Sequence, residues 1–364
     1  MATEPPDDAA VVDPRDDAAA FLDRCRTSSG GAYAAFEMLL ARLDDPATRR
    51  DARRCLGAVA DALGDGALER YHFDIRPFDI RPLPLGAPNE RADALRLLHF
   101  KSVFAPEAWS RTFFEGLARI PTSELAGRAI VELGCGNGWI ALALAMRHPA
   151  PARVVGLDIN PKAVLCARLN RYLNALDDDG QPAIDPAGDS LLERVAFHTS
   201  DLLQWARDAQ QMFDKVIGCI PQVLNPDLDE ILQISDSASD DFLVSLSNYA
   251  GHQGYLEDPF GLGLVARAVE ESIASLRPGG EVIFNLGGRP GRAILTHLLH
   301  RRGFAVEDLW TVRIPQAMDT DIGQLAEIER HSAHRFEFFL SPMGQASVSA
   351  QTAAAYARAG GAIY

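Results

Sequence analysis

Hydrophobic and polar residues follow two different patterns along the chain. From Ala18 to Leu63 the apolar residues recur every three or four positions, as in AYAAFEMLLARL, which predicts two or three helices. The segment 71–90 contains FDIRP twice, and its prolines favour extended backbone over helix. We therefore expect residues 1–17 to lack fixed structure and residues 18–100 to form a helical N-terminal cap region.

Beyond Ala129 short apolar runs alternate with segments of helical periodicity. This alternation predicts strands and helices in turn, which is typical of a parallel sheet with crossover helices. The sequence therefore predicts an α/β fold with a Rossmann-like seven-stranded sheet within residues 101–340. The predicted strands are residues 129–133, 153–158, 195–201 and 214–220, EVIFNLGG, and a terminal antiparallel pair of VEDLWTVRI with HRFEFFL.

Residues 222–262 separate the fourth predicted strand from the next long helix. A connection of about 40 residues is too long for a simple loop in such a fold, so we expect a substrate-binding insertion. The helix that follows, LVARAVEESIASL, is expected to end at residues 277–280, which read RPGG. Residues 341–364 are rich in alanine and glycine and are interpreted as a C-terminal tail.

Composition narrows the classes of partner. A net charge of −15 would repel nucleic acid phosphates and anionic membranes, so a small-molecule partner is favoured. The sequence has no apolar run long enough for a membrane span, and its acidic start is unlike a signal peptide. Its five cysteines are widely spaced, which predicts neither disulfides nor a zinc site and fits the reducing cytoplasm. A homodimer, if one forms, is expected to use the apolar N-terminal helices.

The stretch VELGCGNGW places Gly134, Gly136 and Gly138 between a predicted strand and a predicted helix. Glycines there permit a tight turn and let a ligand lie against bare backbone near the helix N-terminus. A dinucleotide fingerprint would need a further glycine where Trp139 stands, and Glu132 would oppose a pyrophosphate but attract a sulfonium. The loop therefore favours S-adenosylmethionine over NAD, and the alternative is a glycine-rich turn without a ligand.

Two further acids follow the next strands. Asp158 ends the second strand, where such folds place a carboxylate on ribose hydroxyls. The alternative is a helix cap before Pro161, although Asn160 could serve as that cap. Asp201 with Leu202 follows the third strand and is expected to hold adenine, with an ordinary helix cap as the competing interpretation. Together with the glycine loop, these features predict a class I S-adenosylmethionine-dependent methyltransferase.

Several longer stretches resemble one family. ELGCGNGWIALALA, VVGLDINPKAV, GCIPQVLNP and QAMDTDI are similar to the methyltransferase part of methionine S-methyltransferases, and the likeness covers nearly the whole chain apart from its ends. The resemblance implies methylation of methionine to S-methylmethionine. The plant members carry an additional aminotransferase-like part, so the chain resembles the short bacterial form. That form implies a first step toward dimethylsulfoniopropionate.

The stretch GCIPQVLNP, residues 218–226, lies where many enzymes that methylate nitrogen carry Asn-Pro-Pro and an aromatic residue. Here Cys219, Ile220, Pro221 and Gln222 end the strand with little means of accepting a proton. A thioether sulfur needs no base, because it attacks through a lone pair and has no proton to lose. A thiol acceptor would instead need deprotonation, commonly by zinc, for which the sequence offers no cysteine cluster. Pro221 as a simple strand terminator is the alternative.

The amino-acid end of the substrate needs partners of both signs. Arg289, at the end of a predicted parallel strand, suits a carboxylate, and a cation on a surface turn is the alternative. The insertion offers side chains for an ammonium group and a sulfonium, unless they only hold the insertion together: Asn248, Tyr249, Tyr255, Glu257 and Asp258. Three aromatic residues are expected to close the cofactor site from the N-terminal side unless they belong to the core: Phe100, Phe104 and Trp109.

These interpretations define the candidate site. We expect no catalytic acid or base and no metal, because the histidines, including His331 and His334, form no metal motif. The remaining alternatives are a methyltransferase for nitrogen or another thioether, and a cofactor-binding protein without turnover. The residues expected to bind S-adenosylmethionine are Phe104, Glu132, Gly134, Cys135, Gly136, Gly138, Asp158, Ile159, Asn160, Asp201, Leu202 and Cys219. Those expected to bind L-methionine are Pro221, Gln222, Tyr249, Tyr255, Asp258 and Arg289.

Overall fold

A computed structural model describes most of the chain. The described residues are 14–27, 29–63, 73–79, 94–100, 102–104, 106, 108–185, 187–222, 224, 253–316, 320 and 322–364. Among them, no helix combines the length and the apolar character that crossing a membrane would require.

In the part of the chain that the structure describes, five parallel strands form the central sheet: β3 (Ala129–Leu133), β4 (Arg153–Asp158), β5 (Val195–Thr199), β6 (Phe213–Gly218) and β7 (Leu276–Phe284). Their order across the sheet is β5-β4-β3-β6-β7. The chain therefore runs outward from β3 to one edge and then returns to build the other edge. In such doubly wound sheets, ligands bind outside the carboxyl ends of the strands at the point where the order reverses, here between β3 and its neighbours β4 and β6.

Both faces of this sheet are covered by helices. Successive residues of β3 point to opposite faces, so Ile130 joins one buried cluster with Trp139 and Ile140, whereas Val131 joins the other with Val265. Since β3 is buried along its whole length, its sequence is apolar apart from Glu132. The helices from α4 onward are α4 (Ala108–Leu117), α5 (Thr122–Leu125), α6 (Trp139–Ala145), α7 (Pro161–Ala175), α8 (Leu191–Arg194), α9 (Gln204–Asp208), α10 (Gly263–Ser275), α11 (Arg292–His300), α12 (Ile322–His331) and α13 (Ala350–Arg358).

The predicted count of seven strands in this sheet is not confirmed, because the described residues contribute five. The segment 306–314, expected to pair with 334–340, is irregular. Its Trp310 ring packs under the guanidinium of Arg119, 3.8 Å from the ring centroid, so a side-chain contact replaces strand pairing. Phe338 forms only an isolated bridge with Val348.

The described residues of the N-terminal region form three helices and a two-stranded antiparallel sheet. These are α1 (Pro14–Thr27), α2 (Ser29–Asp44), α3 (Arg49–Leu63), β1 (Phe73–Asp79) and β2 (Ala94–Phe100). The predicted helices are confirmed, although the first helix already begins at Pro14. Residues 73–79 of the FDIRP segment are extended as predicted, and the rest of 71–90 lies outside the described residues. Phe36 and Phe100 belong to one buried cluster with Leu169 of α7, so this region packs directly on a helix of the sheet domain.

The final residues form a separate small core. Helices α12 and α13 enclose Phe336 and Phe338, and Ile363 close to the end of the sequence is buried with them. Residues 341–364, interpreted from composition as an uninformative tail, therefore contain a helix and buried core positions.

Candidate functional site

The glycine loop between β3 and α6 has two distinct sides. Gly134, Gly136 and Gly138 have φ values of +68°, +54° and +80°, which side chains rarely adopt. A Cβ on Gly138 would lie 2.6 Å from the ring of Phe197, whereas one on Gly134 would meet nothing within 4 Å. Gly138 is therefore required for packing, and Gly134 leaves bare backbone on the side where a ligand is expected. Cys135 is buried between them, which raises the pKa of its thiol well above the usual value.

Asp158 at the end of β4 supports this loop. Its carboxylate accepts hydrogen bonds from the backbone N–H groups of Gly136, at 2.8 Å, and Asn160, at 2.9 Å. Burial raises the pKa of Asp158 to about 6. Asn160 caps α7 by accepting from the N–H of Lys162 at 3.0 Å, so Asp158 is not the helix cap. Ile159 between them is half-buried.

Glu132 lies in β3 immediately before the glycine loop and is 2% exposed. Its Oε2 has no hydrogen-bond partner among the described residues. Burial, and secondarily the charge of Asp158, raise the pKa of Glu132 well above the usual range. A buried carboxyl with one unsatisfied oxygen beside a glycine loop fits a ligand that carries a positive charge, because such a charge would favour the ionised form of the acid. This chemistry matches the sulfonium and ammonium groups of S-adenosylmethionine.

A segment from the N-terminal region lies over the same loop. The Ser102 carbonyl accepts a hydrogen bond of 2.9 Å from the Asn160 side chain, and the Ser102 hydroxyl contacts Tyr33 at 2.7 Å. The carbonyl oxygen of Phe104 lies 4.0 Å from the position that a Cβ on Gly136 would take. Phe104 is thus close to the loop, and its side chain is 54% exposed.

Phe100, considered with Phe104 as a cover for the cofactor, has a different place. Its ring packs against Tyr33 and Phe36, with centroids 5.3 and 5.2 Å away, and it is fully buried. Phe100 therefore belongs to the core of the N-terminal region.

Asp201 is paired with a cation from another element. Its carboxylate accepts from Arg267 of α10 at 2.8 Å and is 38% exposed. The hydroxyl of Ser200, rather than Asp201, accepts from the Trp205 N–H at the start of α9. The helix-cap alternative for the Asp201 side chain is thus not what the structure shows, and adenine binding by Asp201 and the buried Leu202 stays a prediction.

The ends of β6 and β7 meet at Cys219 and Asn285. The backbone N–H of Asn285 donates to Gly218 O at 3.0 Å, and its side-chain amide donates to Cys219 Sγ at 3.6 Å and to Trp109 O at 3.2 Å. Burial raises the pKa of the Cys219 thiol to about 12, and the charge of Glu132 acts in the same direction. Cys219 is therefore a neutral thiol at physiological pH.

Gln222 and Arg289 converge on Gly287. The side-chain NH₂ of Gln222 donates to the backbone carbonyl of Gly287, and the side-chain oxygen of Gln222 accepts from the backbone N–H of Gly287. A Cβ on Gly287 would lie 2.8 Å from Gln222 Oε1, 3.6 Å from the Trp109 ring and 3.7 Å from an Arg289 guanidinium nitrogen. Pro221 precedes this contact and is half-buried. Three candidates from distant parts of the sequence are thus brought together, and Asn285 and Gly287, which we had not singled out, join them.

The described part of the insertion is held by other contacts. Asp258 accepts hydrogen bonds from the backbone N–H groups of Gly254, at 2.8 Å, and Tyr255, at 2.9 Å. The Tyr255 hydroxyl donates to Glu270 of α10, and Glu257 is paired with Arg302 at 2.9 Å. These contacts fix the segment to α10 and to the turn after α11, so substrate binding by Tyr255 and Asp258 stays a prediction. Asn248 and Tyr249 lie outside the described residues.

Within the described ranges, no group of three or more His, Cys, Asp or Glu side chains could hold a metal ion. His331 is paired with Glu327 at 2.7 Å on the surface of α12. His334 packs against the ring of Phe260, with centroids 4.7 Å apart.

Comparison with known proteins gives one consistent result. The family model described as Methyltransferase small domain matches residues 110–199. The chain is 47% identical over 355 residues to the methionine S-methyltransferase of Hordeum vulgare, an alignment that covers 95% of this chain and 32% of that protein. For the methionine S-methyltransferase of Zea mays the identity is 46% over 362 residues, covering 98% and 33%. For that of Arabidopsis thaliana it is 46% over 346 residues, covering 94% and 32%.

The chain spans about a third of the length of these relatives. The strand order and the family match agree with the predicted fold. The protein therefore has the class I methyltransferase fold and is similar, over nearly all of its length, to part of the methionine S-methyltransferases.

Proposed function

We propose that the protein transfers a methyl group from S-adenosylmethionine to the sulfur of L-methionine, forming S-methylmethionine and S-adenosylhomocysteine. The observation that carries this proposal is the neutral wall at the ends of β6 and β7. Cys219, with its pKa of about 12, and the amides of Gln222 and Asn285 are uncharged at neutral pH. Such a wall suits a thioether, which loses no proton when its sulfur is methylated.

The residues around the glycine loop fit the methyl donor. Gly134 offers bare backbone, Asp158 offers a buried carboxylate for ribose hydroxyls, and Glu132 offers a buried carboxyl oxygen without a hydrogen-bond partner for a positive charge. When bound there, S-adenosylmethionine would supply an electrophilic methyl group on a sulfonium sulfur.

The protein's own contribution is binding and orientation. Gln222 is held by hydrogen bonds to the backbone of Gly287, which fixes its position in the acceptor wall. Arg289 beside it would hold the methionine carboxylate. Alignment of two reactants can supply on the order of 7–11 kcal/mol of a barrier, which is sufficient catalysis where no proton has to move. The buried thiol of Cys219 would keep water away from the sulfonium of the methyl donor.

The same proposal extends to the fate of the product. Because the resemblance to the methyltransferase part of methionine S-methyltransferases covers nearly the whole chain, we further propose that S-methylmethionine formation is the first step of dimethylsulfoniopropionate synthesis in the cytoplasm. This extension rests on the resemblance alone.

Incubation of the purified protein with S-adenosylmethionine carrying a ¹³C-methyl group and with methionine tests the activity. Mass spectrometry and NMR should find the label on sulfur, in a product with a permanent positive charge, together with an equal amount of S-adenosylhomocysteine. Homocysteine, selenomethionine and glutamine are the control acceptors. Labelled methyl on a nitrogen would support the nitrogen-methylating alternative. Binding of S-adenosylmethionine without release of S-adenosylhomocysteine with any acceptor would support a protein without turnover.

A further inference from the structure

Glu329 of α12 is a buried carboxylate that the proposed reaction does not use. It is 1% exposed, and its Oε1 accepts from the backbone N–H groups of Phe336, at 2.8 Å, and Ala350, at 3.0 Å. Its Oε2 accepts from the Gln351 N–H at 3.3 Å. These donors belong to two separate segments, the extended stretch after α12 and the first turn of α13. Glu329 therefore ties both segments to α12 through charge-assisted hydrogen bonds.

The extended stretch after α12 touches the acceptor side of the candidate site. Glu337 donates its backbone N–H to Arg289 O at 2.8 Å. A Cβ on Gly291 would lie 3.1 Å from the Glu337 carboxylate, so the Glu337 side chain also lies against this loop. The next residue, Phe338, turns to Val348 and exchanges two hydrogen bonds with it. Glu337 is thus the backbone link between the C-terminal core and the Arg289 loop.

The same core receives both described ends of the insertion. The ring of Phe260 packs on Phe336, with centroids 6.2 Å apart, and on His334 at 4.7 Å. Leu224, just after Gln222, packs against the cluster that contains Phe336 and Phe338. Three acceptor-side segments therefore rest on residues 322–364.

The cofactor side has different supports. Gly136 is held by Asp158, and Gly138 packs against Phe197 and Ala167. Asn160 bonds to Ser102, which is linked to Tyr33 of the N-terminal region. These contacts connect the glycine loop to the sheet and the N-terminal helices. A disturbance of the C-terminal core should therefore reach the acceptor side selectively.

We propose that Glu329 is a positioning residue for the acceptor: it orders residues 334–339 and α13, which in turn fix the Arg289 loop and the Phe260 segment. This inference rests on the proposed function, because it identifies the Arg289 loop with the methionine site. It also assigns a role to the C-terminal residues in substrate binding rather than in cofactor binding.

Glu329→Gln tests this role because it keeps the volume of the side chain but places an NH₂ group against backbone donors. The matched control is Glu327→Gln, which lies on the same helix but is half-exposed and paired with His331. In Glu329→Gln, hydrogen–deuterium exchange should accelerate about tenfold at residues 285–291 and 253–262, with exchange at 134–138 unchanged. The KM for methionine should rise about tenfold, with the Kd of S-adenosylmethionine changed less than about twofold.

Two results would overturn the inference. One is exchange at 285–291 that matches the Glu327→Gln control. The other is a KM for methionine and a Kd for S-adenosylmethionine that rise together, as general loss of structure would produce. If the unaltered protein does not methylate methionine, the proposed function fails, but the exchange comparison needs no acceptor and still decides whether Glu329 positions the loop. If Glu329→Gln does not fold, Phe336→Leu, which weakens the contact with Phe260, is measured in the same way.

Discussion

The Asp158 carboxylate accepts a hydrogen bond of 2.8 Å from the backbone N–H of Gly136, so the end of one strand fixes the loop that follows its neighbour. Asp158 is 7% exposed, and this burial raises its pKa to about 6. The carboxylate therefore holds the loop at a cost in stability when it is ionised. The loop and the acid that supports it form one structural unit, and the proposed cofactor binding depends on it.

The first prediction concerns stability and pH. A carboxyl whose pKa is about 6 when folded, against about 3.9 when unfolded, binds more protons in the folded state between these values. Its stabilising contribution to the free energy of unfolding is fully present below about pH 4 and is lost as the pH rises through 6. The total loss is on the order of 3 kcal/mol. Urea unfolding from pH 4 to 7 should show that Asp158→Asn removes this fall. The exposed Asp178, changed to Asn, is the control, and equal pH slopes in the unaltered protein and Asp158→Asn would refute the prediction.

The second prediction separates two glycines of one loop. In Gly138→Ala the new methyl would collide with Phe197, and φ is +80°, so the free energy of unfolding should fall by about 2–4 kcal/mol. Gly134→Ala meets no neighbour and should lose only about 1–2 kcal/mol from its positive φ. Its methyl would lie on the expected ligand side, so the affinity for S-adenosylmethionine should fall about tenfold. Chemical denaturation and calorimetric titration measure these effects, and equal destabilisation by both changes would contradict this assignment.

The third prediction concerns Glu132. Burial raises its pKa well above the usual range, which favours the protonated form in the free protein. A bound cation would favour the ionised form, and binding of S-adenosylmethionine should therefore release about one proton. Calorimetry in buffers of different ionisation enthalpy measures that release. It should vanish in Glu132→Gln and persist in Glu124→Gln, a change on the surface of α5; binding without proton release in the unaltered protein would count against the role of Glu132.

The fourth prediction concerns Cys219. Because its pKa is about 12, this thiol is not ionised at neutral pH and acts only as part of the wall. Cys219→Ala should raise the KM for methionine a few-fold and lower kcat by less than about tenfold, whereas loss of a nucleophile or base typically costs about 10²–10⁴. Steady-state kinetics with methionine decide between these outcomes, and a loss of kcat in the larger range would show that the thiol takes part in the chemistry.

Local patterns were sufficient to predict the sheet strands and the turn that the glycine loop makes between β3 and α6. The five parallel strands lie within a few residues of the predicted positions, except that β7 begins several residues before EVIFNLGG. The cap before Pro161 is Asn160 and not Asp158. These features depend on neighbours in sequence. The terminal pair was wrongly expected because the alternation in VEDLWTVRI does not reveal that Trp310 packs on Arg119.

The acceptor side depends on contacts between distant residues. Gln222 and Gly287 are 65 positions apart in the sequence, and Asn285 and Trp109 are 176 positions apart. No local sequence pattern therefore predicts either contact. Asn285 follows the last sheet strand, at the edge where doubly wound folds bind ligands, and that position was the available signal. The C-terminal core was also not predicted, because a segment rich in small residues was interpreted as a tail. In the structure the small residues of α13 allow close packing.

The central claim is that the methyl group passes to a sulfur that needs no base. Single-turnover rates with saturating S-adenosylmethionine and methionine should be constant from about pH 7 to 8.5, because Asp158 titrates near 6 and the wall carries no group that ionises in that range. A rate that rises tenfold per pH unit across this range would show that an acceptor or enzyme group must lose a proton first, and would contradict the account.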